Sequence, residues 1–243
     1  MISTRLVLLH GVGLDHSMWQ PVVAALPSDV VVWAPDLLGH GANPPAPQHT
    51  TLTDLAASVV GGLRPGDNLV GFSLGALVAQ HIARYEPTLV ATLTNVSSVC
   101  QRTASERSRV LDRLAGATGD FPSSVAASLE RWYRGTSVGA DAVERTRVTL
   151  LANDVGSYLS CYRVFATADA EIGPELPRIT APSLAITGEL DTGSTPEMSQ
   201  RLADAIPGCS LVVVPGARHL LPVQNPRAVA DAVTAFLGEI AHA

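Results

Sequence analysis

The stretch Gly71–Gly75, which reads Gly-Phe-Ser-Leu-Gly, limits the possible folds of this chain more than any other feature. It follows the short apolar run Asn68–Val70 and precedes Ala76–Ala83, which has the composition of a buried helix. A G-x-S-x-G motif between a strand and a helix is typical of a nucleophilic serine on a sharp, strained turn. The turn exposes the Ser73 hydroxyl near a helix N-terminus, where the first N–H groups are unpaired. The alternative is an ordinary Gly/Ser-rich turn without chemistry.

Apolar strands and helices alternate along both ends of the chain. Continuous apolar runs are typical of strands that are buried on both faces of a parallel sheet. The alternation predicts an α/β fold with a doubly wound, mainly parallel sheet of about six strands. The predicted strands are Arg5–Leu9, Val30–Ala34, Asn68–Val70, Val90–Val96, Ser183–Gly188 and Leu211–Val214. Further predicted helices are Met18–Leu26, Thr53–Leu63, Pro196–Ile206 and Pro226–Leu237, with Thr51 or Thr53 as the N-cap of the second.

The strand signals disappear between about Cys100 and Pro177. Apolar residues there recur at helical spacing, as in Val110, Leu111 and Leu114, and arginines and acids fill the positions between them. This pattern predicts several helices inserted between two strands of the sheet. We therefore expect residues 1–99 and 178–243 to form the α/β core and residues 100–177 to form a helical cap.

Composition argues against several classes of function. The chain of 243 residues carries a net charge of −6, which argues against nucleic acid as a partner. All 16 basic residues are arginines, so Schiff-base and pyridoxal-phosphate chemistry, which need a lysine, are excluded. The three cysteines are scattered without a C-x-x-C pair, which argues against a zinc site and fits a reducing cytoplasm. No apolar run approaches the ~20 residues of a membrane span, and no signal-peptide pattern opens the chain, so we expect a soluble cytoplasmic protein.

Two further residues follow strand ends in the order that a serine nucleophile requires. A serine hydroxyl needs an imidazole to take its proton, and the imidazole needs an acid to orient it. In sheets of this kind the order along the chain is Ser, Asp/Glu, His. Asp191 follows the fifth predicted strand and His219 follows the sixth, so we predict the triad Ser73–Asp191–His219. Glu189 is the alternative acid, because it lies two residues closer to its strand.

An oxyanion formed during acyl transfer needs two preorganised donors. We predict that the backbone N–H groups of Leu74 and Val12 supply them, since Val12 lies in the glycine-rich turn after the first strand. His10 and His40 are interpreted as turn residues that fix loops by hydrogen bonding. Trp19 is expected either to line a substrate pocket beside the oxyanion hole or to pack in the core.

Taken together, these motifs resemble the α/β-hydrolase superfamily over essentially the whole chain. The matching stretches are His10–Gly13, Asp36–Gly41, Gly71–Gly75, Gly188–Asp191 and Gly216–His219. Three further stretches look most like 3-oxoadipate enol-lactonases: Leu14–Trp19, Leu129–Tyr133 and Ile179–Pro182. The resemblance implies hydrolysis of an enol-lactone without metal or cofactor, by a Ser-His-Asp triad beneath a helical cap. The chain departs from the family by starting at the third usual strand, so we expect a shortened, all-parallel sheet of six.

The expected activity is that of a serine hydrolase that cleaves a small carboxylic ester or lactone through an acyl-enzyme. Two alternatives within the enzymes are a carbon–carbon hydrolase acting on a vinylogous dienoic acid and an aminoacrylate-type small-acid hydrolase. A third alternative, from another class, is a ligand receptor that keeps the triad but turns over little.

One segment of the cap offers substrate contacts. If it is helical, Leu129, Trp132 and Tyr133 share one face, which could roof the active site. Arg131 and Arg134 lie three residues apart on a common flank, where one could bind a substrate carboxylate through its planar guanidinium. The alternative is that both arginines are solvated and that only Trp132 meets the pocket.

Overall fold

The computed structural model describes residues 4–242, and its centre is a six-stranded sheet in which every neighbouring pair of strands is parallel. The strand order is β2-β1-β3-β4-β5-β6. The strands are β1 (Arg5–Leu9), β2 (Val31–Trp33), β3 (Asp67–Phe72), β4 (Val90–Val96), β5 (Ser183–Gly188) and β6 (Ser210–Val214). The predicted doubly wound, all-parallel sheet of six strands is confirmed.

Helices cover the sheet and fill the long connection after β4. In chain order they are α1 (Gln20–Val23), α2 (Leu52–Val60), α3 (Leu74–Tyr85), α4 (Ala104–Gly119), α5 (Phe121–Tyr133), α6 (Ala140–Leu151), α7 (Val155–Ile172), α8 (Pro196–Ala205), α9 (Leu221–Gln224) and α10 (Pro226–Ala241). Short 3₁₀ helices span His16–Trp19, Pro87–Leu89 and Gly173–Arg178. No helix among residues 4–242 is long and apolar enough to cross a membrane.

Burial follows position in the sheet. All six residues of β3 are buried, because this strand has neighbours on both sides and helices on both faces. The edge strands β2 and β6 carry exposed apolar residues, including Val31 and Val213. The core is therefore concentrated around the central strands, and the motif serine follows β3, one of the two strands whose residues are all buried.

Local sequence explains where two early helices begin and end. Thr51 caps α2 through a reciprocal pair of hydrogen bonds with Asp54, which selects Thr51 over Thr53 as the N-cap. The helix predicted over Met18–Leu26 is shorter and starts earlier, as a 3₁₀ turn followed by α1. The reason is that the Asp15 side chain accepts the N–H of Ser17 and starts a tight turn before Met18.

The segment between β4 and β5 is helical, and α7 packs on α3 of the core. A buried ion pair fixes its first and last helices: the Arg102 guanidinium, just before α4, donates to Asp169 of α7 at 2.7 Å. Arg107 contributes a second bond to Asp169 at 3.1 Å. Removing one partner of such a pair would leave an uncompensated buried charge, so the contact fixes how these helices dock. The division into core and cap domains at residues 100 and 177 remains a prediction.

Candidate active site

Ser73 occupies a strained turn between β3 and α3. Its backbone has φ = 53° and ψ = −111°, a conformation that non-glycine residues adopt rarely and at an energetic cost. A Cβ on Gly71 would come closer than 3.0 Å to the backbone of Gly75 and Ala76, and one on Gly75 closer than 3.0 Å to the carbonyl oxygen of Leu9. Glycine is therefore needed at both positions, because the turn passes too close to neighbouring backbone to leave room for a side chain. The Ser73 N–H donates to the Val96 carbonyl at 2.9 Å, which ties the turn to β4.

Asp191 and His219 meet at the carboxyl ends of β5 and β6. Nδ1 of His219 lies 2.7 Å from Oδ2 of Asp191, and the other carboxylate oxygen accepts the N–H groups of Gly193 and Ser194 at 2.8 and 2.9 Å. The Ser97 hydroxyl donates to the His219 carbonyl at 3.0 Å. Because Asp191 accepts three hydrogen bonds and is buried, its carboxylate is held in one orientation. With Nδ1–H directed at Asp191, Nε2 of His219 is left as the basic nitrogen.

A single cavity brings the serine and the histidine together. Ser73 and His219 both line it together with Phe72 and Trp132, whose ring centroids lie 5.1 and 5.7 Å from that of His219. About 490 Å³ of space not filled by atoms, part of it open to solvent, is available there. Within the described residues no direct hydrogen bond joins the Ser73 hydroxyl to His219, and such catalytic bonds commonly tighten only when substrate binds.

Glu189, the alternative acid, has a different partner. Its carboxylate accepts the backbone N–H of Gly216 at 2.8 Å, and the residue is exposed to solvent. It thus fixes the loop that leads to His219, while Asp191 contacts the imidazole itself. The contacts favour Asp191 as the orienting acid, and the triad as a catalytic unit remains a prediction.

The predicted oxyanion donors flank the serine. Val12 lines the cavity, and among residues 4–242 its N–H has no hydrogen-bond acceptor. Leu74 is the first residue of α3, so its N–H has no partner within the helix. The arrangement leaves two backbone donors beside Ser73 for a developing negative charge.

His10 and His40 fix the loops next to the predicted oxyanion donors through hydrogen bonds. Nδ1 of His10 lies 2.8 Å from the Gly11 carbonyl, and its Nε2 accepts the N–H of Leu37 at 2.9 Å. Burial lowers the pKa of His10, and burial together with the neighbouring His10 lowers the pKa of His40 to about 3. Both rings are therefore neutral near neutral pH, and their contacts agree with the interpretation as turn residues.

Two predicted pocket residues lie elsewhere. Trp19 is 1% exposed and belongs to the hydrophobic core, because its 3₁₀ helix packs against β1 and α9 and leaves the ring outside the cavity lining. Arg134 follows α5, and its side chain is 72% exposed and paired with Glu130. Trp19 thus packs in the core, the second of its two expected positions, and neither Trp19 nor Arg134 lines the cavity.

Two other cap residues do line the cavity. Trp132 faces His219, and its carbonyl accepts the Gln224 side-chain amide at 2.6 Å. Arg131 lies beside it and is only partly exposed. The roof predicted from Leu129 and Tyr133 is not formed by them: both are buried outside the lining, and the Tyr133 hydroxyl bonds Thr146 at 2.7 Å.

Sequence reasoning missed a second cavity arginine, Arg113, and three aromatic residues of α7. Arg113 follows Val110 by three residues and precedes Ala117 by four, so it lies on the buried stripe of α4. A charged residue on an apolar stripe is the signal that could have identified it. The α7 residues that line the cavity are Tyr158, Tyr162 and Phe165.

Among residues 4–242 no group of three or more His, Cys, Asp or Glu side chains is placed to hold a metal ion. The buried thiols of Cys100 and Cys161 have pKa values raised by burial to about 12, so they are poor nucleophiles.

This fold, with a strained serine after β3 and a carboxylate–imidazole pair after β5 and β6, defines an α/β-hydrolase. Residues 6–232 match the alpha/beta hydrolase family, and the chain belongs to that family. The predicted resemblance to the superfamily is thereby confirmed.

Comparison with individual proteins extends the match. The chain is 29% identical to the (E)-2-((N-methylformamido)methylene)succinate hydrolase of Acinetobacter baylyi over 236 residues, which cover 96% of this chain and 89% of the relative. It is 26% identical to 3-oxoadipate enol-lactonase 2 of the same organism, with 96% and 88% covered. The crystal structure of the enol-lactonase from Burkholderia xenovorans superposes with a TM-score of 0.83 at 27% identity, covering 98% of this chain and 92% of that one. The relatives therefore support hydrolase activity.

Proposed function

We propose that this protein is a serine hydrolase that cleaves a small carboxylic ester or lactone through an acyl-enzyme. The observation that carries the proposal is the shared cavity of Ser73 and His219, with His219 held by the buried Asp191 at 2.7 Å. A strained serine beside an imidazole that a carboxylate orients is the arrangement that activates a hydroxyl as a nucleophile.

The first half of the proposed reaction forms the acyl-enzyme. Nε2 of His219 takes the proton of the Ser73 hydroxyl as its oxygen attacks the substrate carbonyl. The resulting oxyanion accepts the N–H groups of Val12 and Leu74, and one such donor contributes roughly 10²–10³ in kcat. His219 then gives its proton to the leaving oxygen, and the C–O bond breaks.

The second half releases the acid. A water molecule loses a proton to His219 and attacks the acyl carbonyl, and the Ser73 oxygen leaves with that proton. Asp191 remains a carboxylate throughout, since its role is to orient the ring and stabilise the imidazolium. An ester and one water thus give an acid and an alcohol. A lactone and one water give a single hydroxy acid, or the corresponding keto acid when the lactone is an enol-lactone.

The cavity suits a small, acidic substrate. Its walls combine aromatic rings with two guanidinium groups, as in sites where apolar walls and a few polar groups together orient a small ligand. Arg131 is the residue that we assign to a substrate carboxylate, and Trp132 forms the apolar roof. A partly buried guanidinium binds a carboxylate with charge-assisted hydrogen bonds, which are about twice as strong as neutral ones.

A second candidate function is favoured by one comparison. The similarity to the methylenesuccinate-derivative hydrolase covers nearly the whole chain, which favours an unsaturated, nitrogen-substituted acid of the aminoacrylate type as an alternative substrate. The same serine and histidine would act on either substrate class.

A substrate panel tests the proposal. Initial rates are measured for 3-oxoadipate enol-lactone, p-nitrophenyl butyrate and p-nitrophenyl palmitate with the full chain. We expect turnover of a small substrate in the range of about 1–10³ s⁻¹ and little hydrolysis of the palmitate, which exceeds the cavity. A kcat far below about 1 s⁻¹ on both the lactone and the butyrate would instead support a receptor.

A further inference from the structure

Two arginines, from different helices, line the catalytic cavity. Arg113 comes from α4 and Arg131 from α5, and both share the lining with Ser73 and His219. The chain as a whole has a net charge of −6, so the positive charge in the cavity is opposite in sign to that of the protein. A cavity of one sign of charge concentrates ligands of the other sign.

Neither cavity arginine has an acidic partner. Within residues 4–242 no carboxylate forms an ion pair with either guanidinium, in contrast to Arg102, which is paired with Asp169. Arg131 donates to the Ser128 hydroxyl at 3.0 Å, and Arg113 donates through Nε to the Tyr162 hydroxyl at 3.4 Å. These neutral hydroxyls orient the two side chains and leave their charge uncompensated.

The two charges also oppose each other. Burial lowers the pKa of Arg131, and the nearby charge of Arg113 lowers it further. Asp191 acts in the opposite direction, but its two oxygens are already engaged by His219 and by the backbone of the following loop. Two guanidinium groups held near each other in a partly desolvated site are unfavourable without a counter-ion. A ligand that brings two negative groups would offset both the desolvation and the repulsion penalties.

We propose that the cavity recognises a dicarboxylate: an acyl group that carries two free carboxylates, one bound by Arg131 and the other by Arg113. The inference rests on the proposed function, since it is the acyl group attached at Ser73 that these arginines hold. It adds Arg113 as a specificity-determining residue and defines the substrate as doubly charged.

The position of Arg113 indicates where the second carboxylate lies. Arg113 lines the catalytic cavity and also an outer groove, whose other charged residues are Arg109, Glu189, Asp191, Glu197 and Arg218. It therefore lies between the cavity and this groove, whereas Arg131 lines only the cavity and its guanidinium lies over the Trp132 ring. We place the first carboxylate on Arg131 and the second at the mouth, on Arg113.

Calorimetric titration with two simple acids tests the proposal on the wild-type chain. Succinate and butyrate have the same number of carbons, but at pH 8 succinate carries two charges and butyrate carries one. Ionic strength is held constant, because screening would otherwise differ between titrations. We expect succinate to bind at least tenfold more tightly than butyrate. Equal affinities would overturn the proposal, since they would mean one carboxylate shared by both arginines or none bound.

Substitutions locate the second carboxylate. Arg113→Gln is expected to weaken succinate at least tenfold and to leave butyrate within twofold, which abolishes the preference. Arg109→Gln is the matched control: it lies one turn earlier on α4, lines only the outer groove, and should leave both affinities within twofold. An Arg113→Gln protein that keeps the succinate preference, or that loses succinate and butyrate equally, would contradict the assignment.

Failure of this inference can be told from failure of the proposed function. If p-nitrophenyl butyrate is hydrolysed through Ser73 while succinate shows no preference, only the dicarboxylate assignment is lost. If succinate binds as expected but Ser73 is not acylated by any ester, the serine mechanism is lost and the binding site stands.

Discussion

The two halves of the cavity differ in what holds their residues in place. On the sheet side, Ser73, Asp191 and His219 follow the carboxyl ends of β3, β5 and β6, and backbone contacts fix each of them. On the cap side, Arg113, Arg131 and Trp132 sit on the faces of helices and are held by side-chain contacts. Parallel sheets bring strand ends to one edge whatever the side chains are, whereas a helix face can be used by many residue types. We therefore propose that the sheet side determines the chemistry and that the cap side determines the substrate.

This difference predicts large losses of rate from small changes on the sheet side. Asp191→Asn keeps the shape of the side chain but removes the anion that orients His219, so kcat on p-nitrophenyl butyrate should fall by about 10⁴. Glu189→Gln is the matched control two residues away, and its contact with the Gly216 N–H should leave kcat within about threefold. The opposite ranking would assign the orienting acid to Glu189.

The same contrast extends to glycines and stability. Gly75→Ala would place a Cβ within 3.0 Å of the Leu9 carbonyl oxygen, so we expect a loss of about 3 kcal/mol or more in the free energy of unfolding. Gly116 lies inside α4 of the cap, where an added Cβ meets nothing within 4 Å, and Gly116→Ala should stabilise by about 0.5–1 kcal/mol. Urea denaturation of both variants measures the difference. Similar effects of the two changes would contradict the close approach of Gly75 to the Leu9 carbonyl at the serine turn.

Acid should weaken the sheet side through its buried histidines. His40 is neutral in the folded protein, with a pKa of about 3, while the unfolded chain takes up a proton below its ordinary value of 6.5. Stability from this group is therefore complete above pH 6.5 and is lost as the pH falls towards 3. Linkage gives roughly 2 kcal/mol lost between pH 7 and pH 5. Denaturation of wild type and His40→Gln at both pH values should show a smaller drop in the variant. Equal drops in stability would mean that folding does not lower the pKa of His40.

On the cap side we expect effects on KM. Arg131→Ala should raise KM for a small acidic ester about tenfold, because a charge-assisted hydrogen bond is worth ~1.5–3 kcal/mol, while a neutral ester of similar size should be unaffected. Arg134→Ala is the control, since its exposed pair with Glu130 contributes only about 0.3–0.5 kcal/mol and lies away from the cavity. Steady-state kinetics on both esters distinguish the two arginines. A rise in KM for both substrates would leave Arg131 as a packing residue.

The sequence predicts the sheet side well, for a physical reason. Turns such as Gly71–Gly75 demand particular residues because the backbone itself is crowded, and so they leave a readable motif. The continuous apolar runs predict the six parallel strands. The observed strand ends differ from the predicted ones by a few residues, because local hydrogen bonds set where each strand begins and ends. The contact between Asp191 and His219 is consistent with their predicted order along the chain.

The cap side is harder to predict. The sequence gives no reason to prefer Arg131 over Arg134 as a substrate contact. In the structure α5 ends at Tyr133, so Arg131 lies on the helix and lines the cavity, whereas Arg134 lies beyond the helix and is exposed to solvent. Trp19 could not be assigned from its position alone, because a 3₁₀ turn in place of a helix changes the direction of its ring. Arg113 was overlooked because no motif marks it, although it interrupts the apolar stripe of α4.

The central claim is that Ser73 is the nucleophile. The most direct measurement is mass spectrometry of the intact and digested protein after treatment with a fluorophosphonate, which reacts only with an activated serine. We predict one added phosphonyl group, located on Ser73, and none in a Ser73→Ala protein that retains the wild-type unfolding transition. Labelling at another serine, or an unlabelled Ser73 in a protein that still hydrolyses p-nitrophenyl butyrate, would contradict the account.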